Sequence, residues 1–119
     1  GFKAMQITLS SLSAEEKKNT TAASIFSRPT ESLNQDKVSM GTTAANDFSK
    51  MIPDLYNMLS IAFIGMAQAV DIRGKDLVSP HLKNIYENIR KDVKPLYEDR
   101  RMDFDIEKIY TLIEEKKFI

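Results

Sequence analysis

Apolar positions recur every three or four residues along most of this chain, and no stretch alternates with period two over the length of a strand. Phe2, Met5, Leu9 and Leu12 fall on one stripe and predict a helix from Phe2 to about Lys18. Its Glu15-Glu16-Lys17-Lys18 end reads as a solvated last turn, with the lysines near the negative pole of the helix dipole. From Asn19 to Lys37 the pattern lapses into residues that bond locally or resist helix: Thr20, Thr21, Ser24, Ser27, Pro29, Thr30, Ser32 and Asn34. Unstructured loops this long are usually functional or disordered. Ile25, Phe26 and Leu33 are expected to anchor this one.

The central element runs from about Ser39 to Arg73, with Ser39, Thr42 and Thr43 as expected caps and Gly74 as the stop. Pro53 is expected to break or kink it near Met51 and Ile52, because proline lacks the N–H and crowds the preceding turn. Beyond Pro53, Leu55, Met58, Leu59, Ala62, Phe63, Met66, Ala69 and Val70 fill one side, while Tyr56, Ile61, Ile64 and Ala67 fill much of the other. A helix apolar nearly all round must be surrounded by protein, and the other helices are too short and too amphipathic to enclose it alone. The most apolar part, Met58 to Val70, is interrupted by Ser60, Gly65 and Gln68 and falls short of the roughly 20 apolar residues of a bilayer span. The expectation is therefore a core helix and no membrane. A third helix starts with Ser79 as cap and Pro80 in the first position, carrying Leu82, Ile85, Tyr86, Ile89 and Val93. A fourth opens near Asp103 or Asp105 with Ile106, Ile109, Tyr110 and Ile113. The fold class is all-α, with about four helices around one long buried central helix.

Composition narrows the chemistry. The 119 residues amount to one domain, and 42% hydrophobic with 29% charged residues is a globular balance. Seventeen basic residues against 17 acidic ones give zero net charge, which argues against a nucleic-acid binder. With no cysteine, disulfides, thiolate metal sites and thiol nucleophiles are excluded. The absence of any need for disulfides fits a cytoplasmic protein. The single histidine, His81, lies in a first helical turn without a partner base or nucleophile and reads as a surface or capping residue. The four glycines match no phosphate-binding fingerprint. The methionines of the central helix read as packing. No catalytic constellation is complete and no metal site is expected.

The informative stretch is the polar loop ahead of the central helix, where Glu31, Asn34, Gln35 and Asp36 gather carboxylates and amides. Taken alone, these residues favour a turn in which Asn34 and Asp36 bond their own backbone. The functional alternative is a pocket wall that orients a polar substrate. Asn34-Gln35-Asp36 followed by Val38-Ser39-Met40-Gly41-Thr42 resembles a loop signature of the histidine and aromatic amino acid ammonia-lyase family. Ala67-Gln68-Ala69-Val70-Asp71-Ile72-Arg73 resembles that family's Ala-Gln-Ala-x-Asp-x-Arg element. Leu77-Val78-Ser79-Pro80, Tyr97-Glu98-Asp99-Arg100-Arg101 and Asp105-Ile106-Glu107 resemble its C-terminal tail. The pieces agree in order and spacing over nearly the whole chain.

The resemblance implies the C-terminal part of a larger helical-bundle enzyme about four times this length. Residues 1–119 would be one C-terminal helical segment, with loop 19–38 carrying the pocket residues. The opening Gly1-Phe2-Lys3-Ala4, without an initiator methionine, would then be an internal helix. The implied cofactor is a methylidene-imidazolone made from an internal Ala-Ser-Gly, a tripeptide absent from this sequence and so expected upstream. The implied partners are the rest of its own polypeptide and identical subunits in a homotetramer, acting on a small amino acid, with active sites assembled from several subunits. Glu31, Asn34 and Gln35 match the family's Glu-x-x-Asn-Gln pattern, best seen in the phenylalanine-type members. Asp36 stands where histidine-type members carry a glutamate. Those members continue with an acid and a histidine before Val-Ser-Met, where this chain has only Asp36-Lys37. The segment by itself is expected to be inactive, and either marginally stable or self-associating. Lyase and aminomutase both remain open, and a small non-catalytic helical interaction module is the alternative from a different class.

Overall fold

The computed structural model describes residues 1–117. It contains four α-helices: α1 (Phe2–Asn19), α2 (Gly41–Arg73), α3 (Pro80–Asp92) and α4 (Asp103–Glu114). Short 3-10 turns occur at Ala23–Phe26 and Lys75–Leu77. Among the described residues the only β-type pairing is an isolated bridge between Thr30 and Gln35. The molecule is a rod, 67 × 28 × 23 Å, with a radius of gyration of 19.8 Å. A compact chain of this length would give about 13–14 Å. The length comes from α2, on which α1, α3 and α4 all pack.

The core follows the helical stripes. Met5 of α1, Ile61, Ile64 and Ala67 of α2, Tyr86 and Ile89 of α3 and Ile109 of α4 are buried together with Val93 and Met102 from the α3–α4 connection. Phe2, Leu9, Phe63, Val70, Ile106 and Ile113 pack around them. Tyr110 meets Tyr56 edge to face, with centroids 5.5 Å apart and planes at 79°. On α2 the buried side is therefore the one carrying Ile61, Ile64 and Ala67. Leu59, Met66 and Ile72 on the rest of the helix stand 46, 55 and 78% exposed. The short helices cover only one face of the long one, as their size and amphipathic pattern imply.

Other local expectations are corrected. Pro53 does not break α2, which is helical throughout Gly41–Arg73. The lost hydrogen bond is a local cost on an exposed turn, and packing on both sides of it holds the axis. None of Ser39, Thr42 and Thr43 caps this helix. Met40 does, in the left-handed region at φ 57, with its carbonyl accepting from the Ala44 N–H. The Ser79 cap and Pro80 start of α3 are present, with the Leu82 N–H donating to Ser79 Oγ at 3.4 Å. Leu82 itself stays 53% exposed. Glu16 is not solvated but buried against α2. Ile25, Phe26 and Leu33 do not anchor their loop; they are 61, 57 and 73% exposed, although the turn carrying Ile25 and Phe26 touches α2.

α2 is also long and apolar enough, by length and composition, to cross a membrane, with an 18-residue window of mean hydropathy 1.4. The count of Met58 to Val70 understates it, since the helix runs on without interruption. Its polar groups are used within the protein instead. Ser60 donates to the Tyr56 carbonyl at 2.7 Å, and Gln68 holds the backbone of another segment.

Candidate functional site

Loop 27–40 leaves α1 behind and delivers the chain to the start of α2. Its tip is a tight hairpin: the Thr30 N–H donates to the Gln35 carbonyl at 3.0 Å, and the Gln35 N–H returns to the Thr30 carbonyl at 3.2 Å. Glu31, Ser32 and Leu33 between them all take left-handed φ, at 52, 54 and 70°. Each such residue without glycine's freedom costs roughly 1–2 kcal/mol, so the hairpin needs a compensating contact. Within the chain the ties are few. The Val38 N–H donates to Ser27 Oγ at 2.7 Å, and the Asn34 N–H closes the turn on the Glu31 carbonyl at 3.0 Å.

This geometry gathers the sequence-derived residues on one small structure. Asn34 Nδ2 lies 3.5 Å from Glu31 Oε2, and Thr30 Oγ1 donates to Gln35 Oε1 at 3.3 Å. The Asn34 side chain therefore turns to a carboxylate and not to its own backbone. Bonding through its oxygen leaves the Gln35 amide N–H groups available as donors, and Glu31 keeps a second oxygen as acceptor. Asp36 and Lys37 follow, exposed. Glu31, Asn34, Gln35 and Asp36 are all exposed, projecting from the protein surface. A cluster of amides and carboxylates without a paired nucleophile and base can recognise and orient a polar molecule; it does not supply bond-breaking chemistry. Among the described residues no group of three or more metal-ligating side chains occurs.

The other end of α2 is built differently. Gln68 brackets Leu96, donating to its carbonyl at 3.1 Å and accepting from its N–H at 2.9 Å. Asp71 accepts from Tyr86 Oη and from Arg90 Nη2, both at 2.5 Å, and Arg90 Nη1 continues to the Val93 carbonyl at 3.0 Å. The Arg90 and Asp71 side chains are 10 and 12% exposed. Lys75 Nζ lies 5.0 Å from the Tyr86 ring centre, and its interaction with Tyr86 raises the lysine above its ordinary range. Arg100 joins the buried carboxylate of Asp105 and donates to the Lys94 carbonyl at 3.1 Å. Two of the motifs singled out in the sequence thus act as clamps: Gln68 and Asp71 of one, Arg100 of the other. Sequence reasoning did not assign them this role. The available signal was two polar side chains three residues apart on an otherwise apolar helix.

Next to these clamps α2 and α3 form an apolar groove of about 290 Å³, lined by Phe63, Met66, Val70, Val78, Leu82 and Ile85 among others. It lies roughly 35 Å along α2 from the hairpin. The polar cluster and the apolar groove are separate features in this chain.

Comparison with known proteins places these observations. A family model described as aromatic amino acid lyase matches residues 1–91. Histidine ammonia-lyase 1 of Fusobacterium nucleatum subsp. nucleatum is 33% identical over the whole chain, which covers 23% of that protein. Histidine ammonia-lyase of Symbiobacterium thermophilum is 35% identical over 95% of the chain, covering 22% of that protein. Among solved structures, a tyrosine aminomutase from Streptomyces globisporus superimposes on 99% of the chain with a TM-score of 0.87 and 35% identity, again covering 22% of its length. The chain therefore spans less than a quarter of the relatives it matches.

Proposed function

The chain belongs to the aromatic amino acid lyase family, and we propose that it is the C-terminal helical part of an enzyme that eliminates ammonia from histidine or an aromatic amino acid, leaving an α,β-unsaturated acid. The observation that carries this reading is the family match over residues 1–91 together with the grouping of Glu31, Asn34 and Gln35 on one hairpin. In this reading loop 19–38 is one wall of a pocket whose other walls lie elsewhere in the enzyme. Glu31 faces the substrate ammonium, and Asn34, Gln35 and Asp36 orient its polar groups. The exposure of all four, and the left-handed hairpin that holds them, support a site that the segment does not complete alone.

The family's methylidene-imidazolone supplies an electrophile that makes the β-proton of the substrate acidic enough to remove. Its precursor Ala-Ser-Gly is not in this sequence, so these residues do not form it. They bind and orient, and the segment by itself is inactive. The uncovered face of α2, with Leu59, Met66 and Ile72, supports partners of the same origin: the rest of the polypeptide and identical subunits in a homotetramer.

An aminomutase is the second reading, favoured by the likeness to tyrosine aminomutase. Product analysis on the full-length protein separates the two: the lyase releases a conjugated acid that absorbs in the ultraviolet, and the mutase returns a β-amino acid. Within either reading, Gln35→Ala and Glu31→Ala in the full-length protein should lower kcat by about ten- to a hundredfold, as expected for loss of a hydrogen bond or charge contact of roughly 1–3 kcal/mol. Tm and oligomer mass should stay constant, and Lys37→Ala should change little. Near-parental kcat in both loop variants would remove these residues from the site.

A further inference from the structure

Below its tip, the hairpin ahead of α2 is tied at one further place. Residues 28–37 are all exposed, and the first residues partly withdrawn from water are Ser27 on one arm and Val38 on the other. They stand opposite each other, three residues beyond the Thr30–Gln35 pair on each side. There the Val38 N–H donates to Ser27 Oγ at 2.7 Å. The backbone ladder does not continue between these ties. Pro29 has no N–H to give, and among the described residues no other hydrogen bond joins 27–30 to 35–38. Ser27 is itself fixed. It ends the 3-10 turn Ala23–Phe26, which packs on α2; its N–H donates to the Ser24 carbonyl at 3.2 Å. Its carbonyl accepts from Arg28 Nη1 at 2.9 Å. On the other arm, the chain leaving Val38 runs directly into Met40 and the start of α2. One hydroxyl therefore joins both arms of the loop at the point where each meets the body of the molecule.

Beyond this tie the tip carries three consecutive left-handed residues, Glu31, Ser32 and Leu33, a conformation that persists only where its surroundings hold it. We propose that Ser27 is a positioning residue of the candidate site: by accepting from Val38 it fixes the angle at which the hairpin presents Glu31, Asn34 and Gln35, and it does not touch substrate itself. This role rests on the hairpin's being a wall of the substrate pocket. A partly desolvated N–H that loses its acceptor is costlier than an exposed one, which water serves at once. Removing the hydroxyl thus loosens the base of the loop, and a small change of angle there is magnified at the tip. For groups that must meet a substrate, a misplacement of about 1 Å costs on the order of a hundredfold in rate.

The test is Ser27→Ala and Ser27→Thr in the full-length protein, each alone and combined with Gln35→Ala. Threonine keeps the acceptor and alanine removes it. Ser27→Ala should lower kcat about tenfold, the equivalent of one lost hydrogen bond. Tm and oligomer mass should stay parental, and Ser27→Thr should recover most of the rate. Because Ser27 acts through the hairpin, Ser27→Ala should cost markedly less in the Gln35→Ala background, whereas an independent structural role gives additive losses. Amide exchange over residues 28–37, read by mass spectrometry, should be faster in Ser27→Ala and parental in Ser27→Thr, whether or not the loop binds substrate. Unchanged exchange in Ser27→Ala overturns the tie. A fall in Tm or oligomer mass that accounts for the lost rate overturns the positioning role. So does parental kcat in Ser27→Ala while Gln35→Ala is impaired, and that result leaves the site standing. Faster exchange in Ser27→Ala, with parental kcat in both Gln35→Ala and Glu31→Ala, removes the site itself and the positioning role with it.

Discussion

The two ends of α2 meet the rest of the chain in opposite ways. At its C-terminal end the helix is gripped by α3, α4 and their connection. Ile64, Ile89, Val93 and Ile109 are at most 2% exposed there, and Gln68, Asp71 and Arg90 point inward to named partners, with only Arg90 Nε left without one among these groups. At its N-terminal end the first turns and the hairpin before them stand in solvent, with Phe48 60% exposed and Leu33 73% exposed. One helix thus carries a packed core on one face of its C-terminal half, where Met66 and Ile72 of the other face stay uncovered, and an unfinished surface at its N-terminal end. A finished core justifies its polar residues by the hydrogen bonds they make inside it. The unfinished end shows apolar side chains, strained backbone and grouped polar residues with little to hold them. That combination marks contact with something beyond the segment.

The sharpest way to break this contrast is to cut the clamp. Arg90→Ala leaves Asp71 nearly buried without its cation, and the loss of one partner of such a pair should destabilise the chain by about 3–5 kcal/mol. Urea melts read by circular dichroism measure it, and a cost below about 1 kcal/mol would show the pair to be a surface contact. A smaller effect is expected one turn back. Gln68→Ala strips both backbone groups of Leu96 of their partner and should cost about 1–3 kcal/mol. Amide exchange at Leu96 should rise with it, while exchange in α1 stays unchanged. The smallest effect belongs to the open end. Leu33→Ala should change the stability of the chain by less than about 0.5 kcal/mol, because that side chain has almost no contacts to lose. The same substitution in the full-length protein sharpens the comparison: a clear loss of stability there and not here would place a partner over Leu33.

Much of the finished end was legible in advance. Of the stripe Phe2-Met5-Leu9-Leu12 and the run Leu82-Ile85-Tyr86-Ile89-Val93, all turn into the core as helical spacing requires except Leu82, which is exposed, and Leu12, which is only half-buried, and Ser79-Pro80 starts α3. These are local matters of period and capping, which neighbouring residues settle among themselves. The open end was legible only in part. Glu31, Asn34 and Gln35 stood out as a polar group, yet their hairpin depends on three left-handed residues that no glycine or asparagine announces. Ile25, Phe26 and Leu33 read as anchors because apolar residues usually turn inward, and that rule fails where the chain offers no interior.

By itself, the sequence of residues determined an all-α chain, the positions of its helices and, through its motifs, a family. Those properties are written in spacing and residue type, and a resemblance spread over many positions survives an error at any one of them. Tertiary structure alone decided which side of α2 is covered. It also carried the helix through Pro53, joined Gln68 to Leu96 across the chain, and buried Glu16. Each depends on residues far apart in sequence meeting in space, and the free energy of such a meeting is set by burial and geometry that no local pattern encodes.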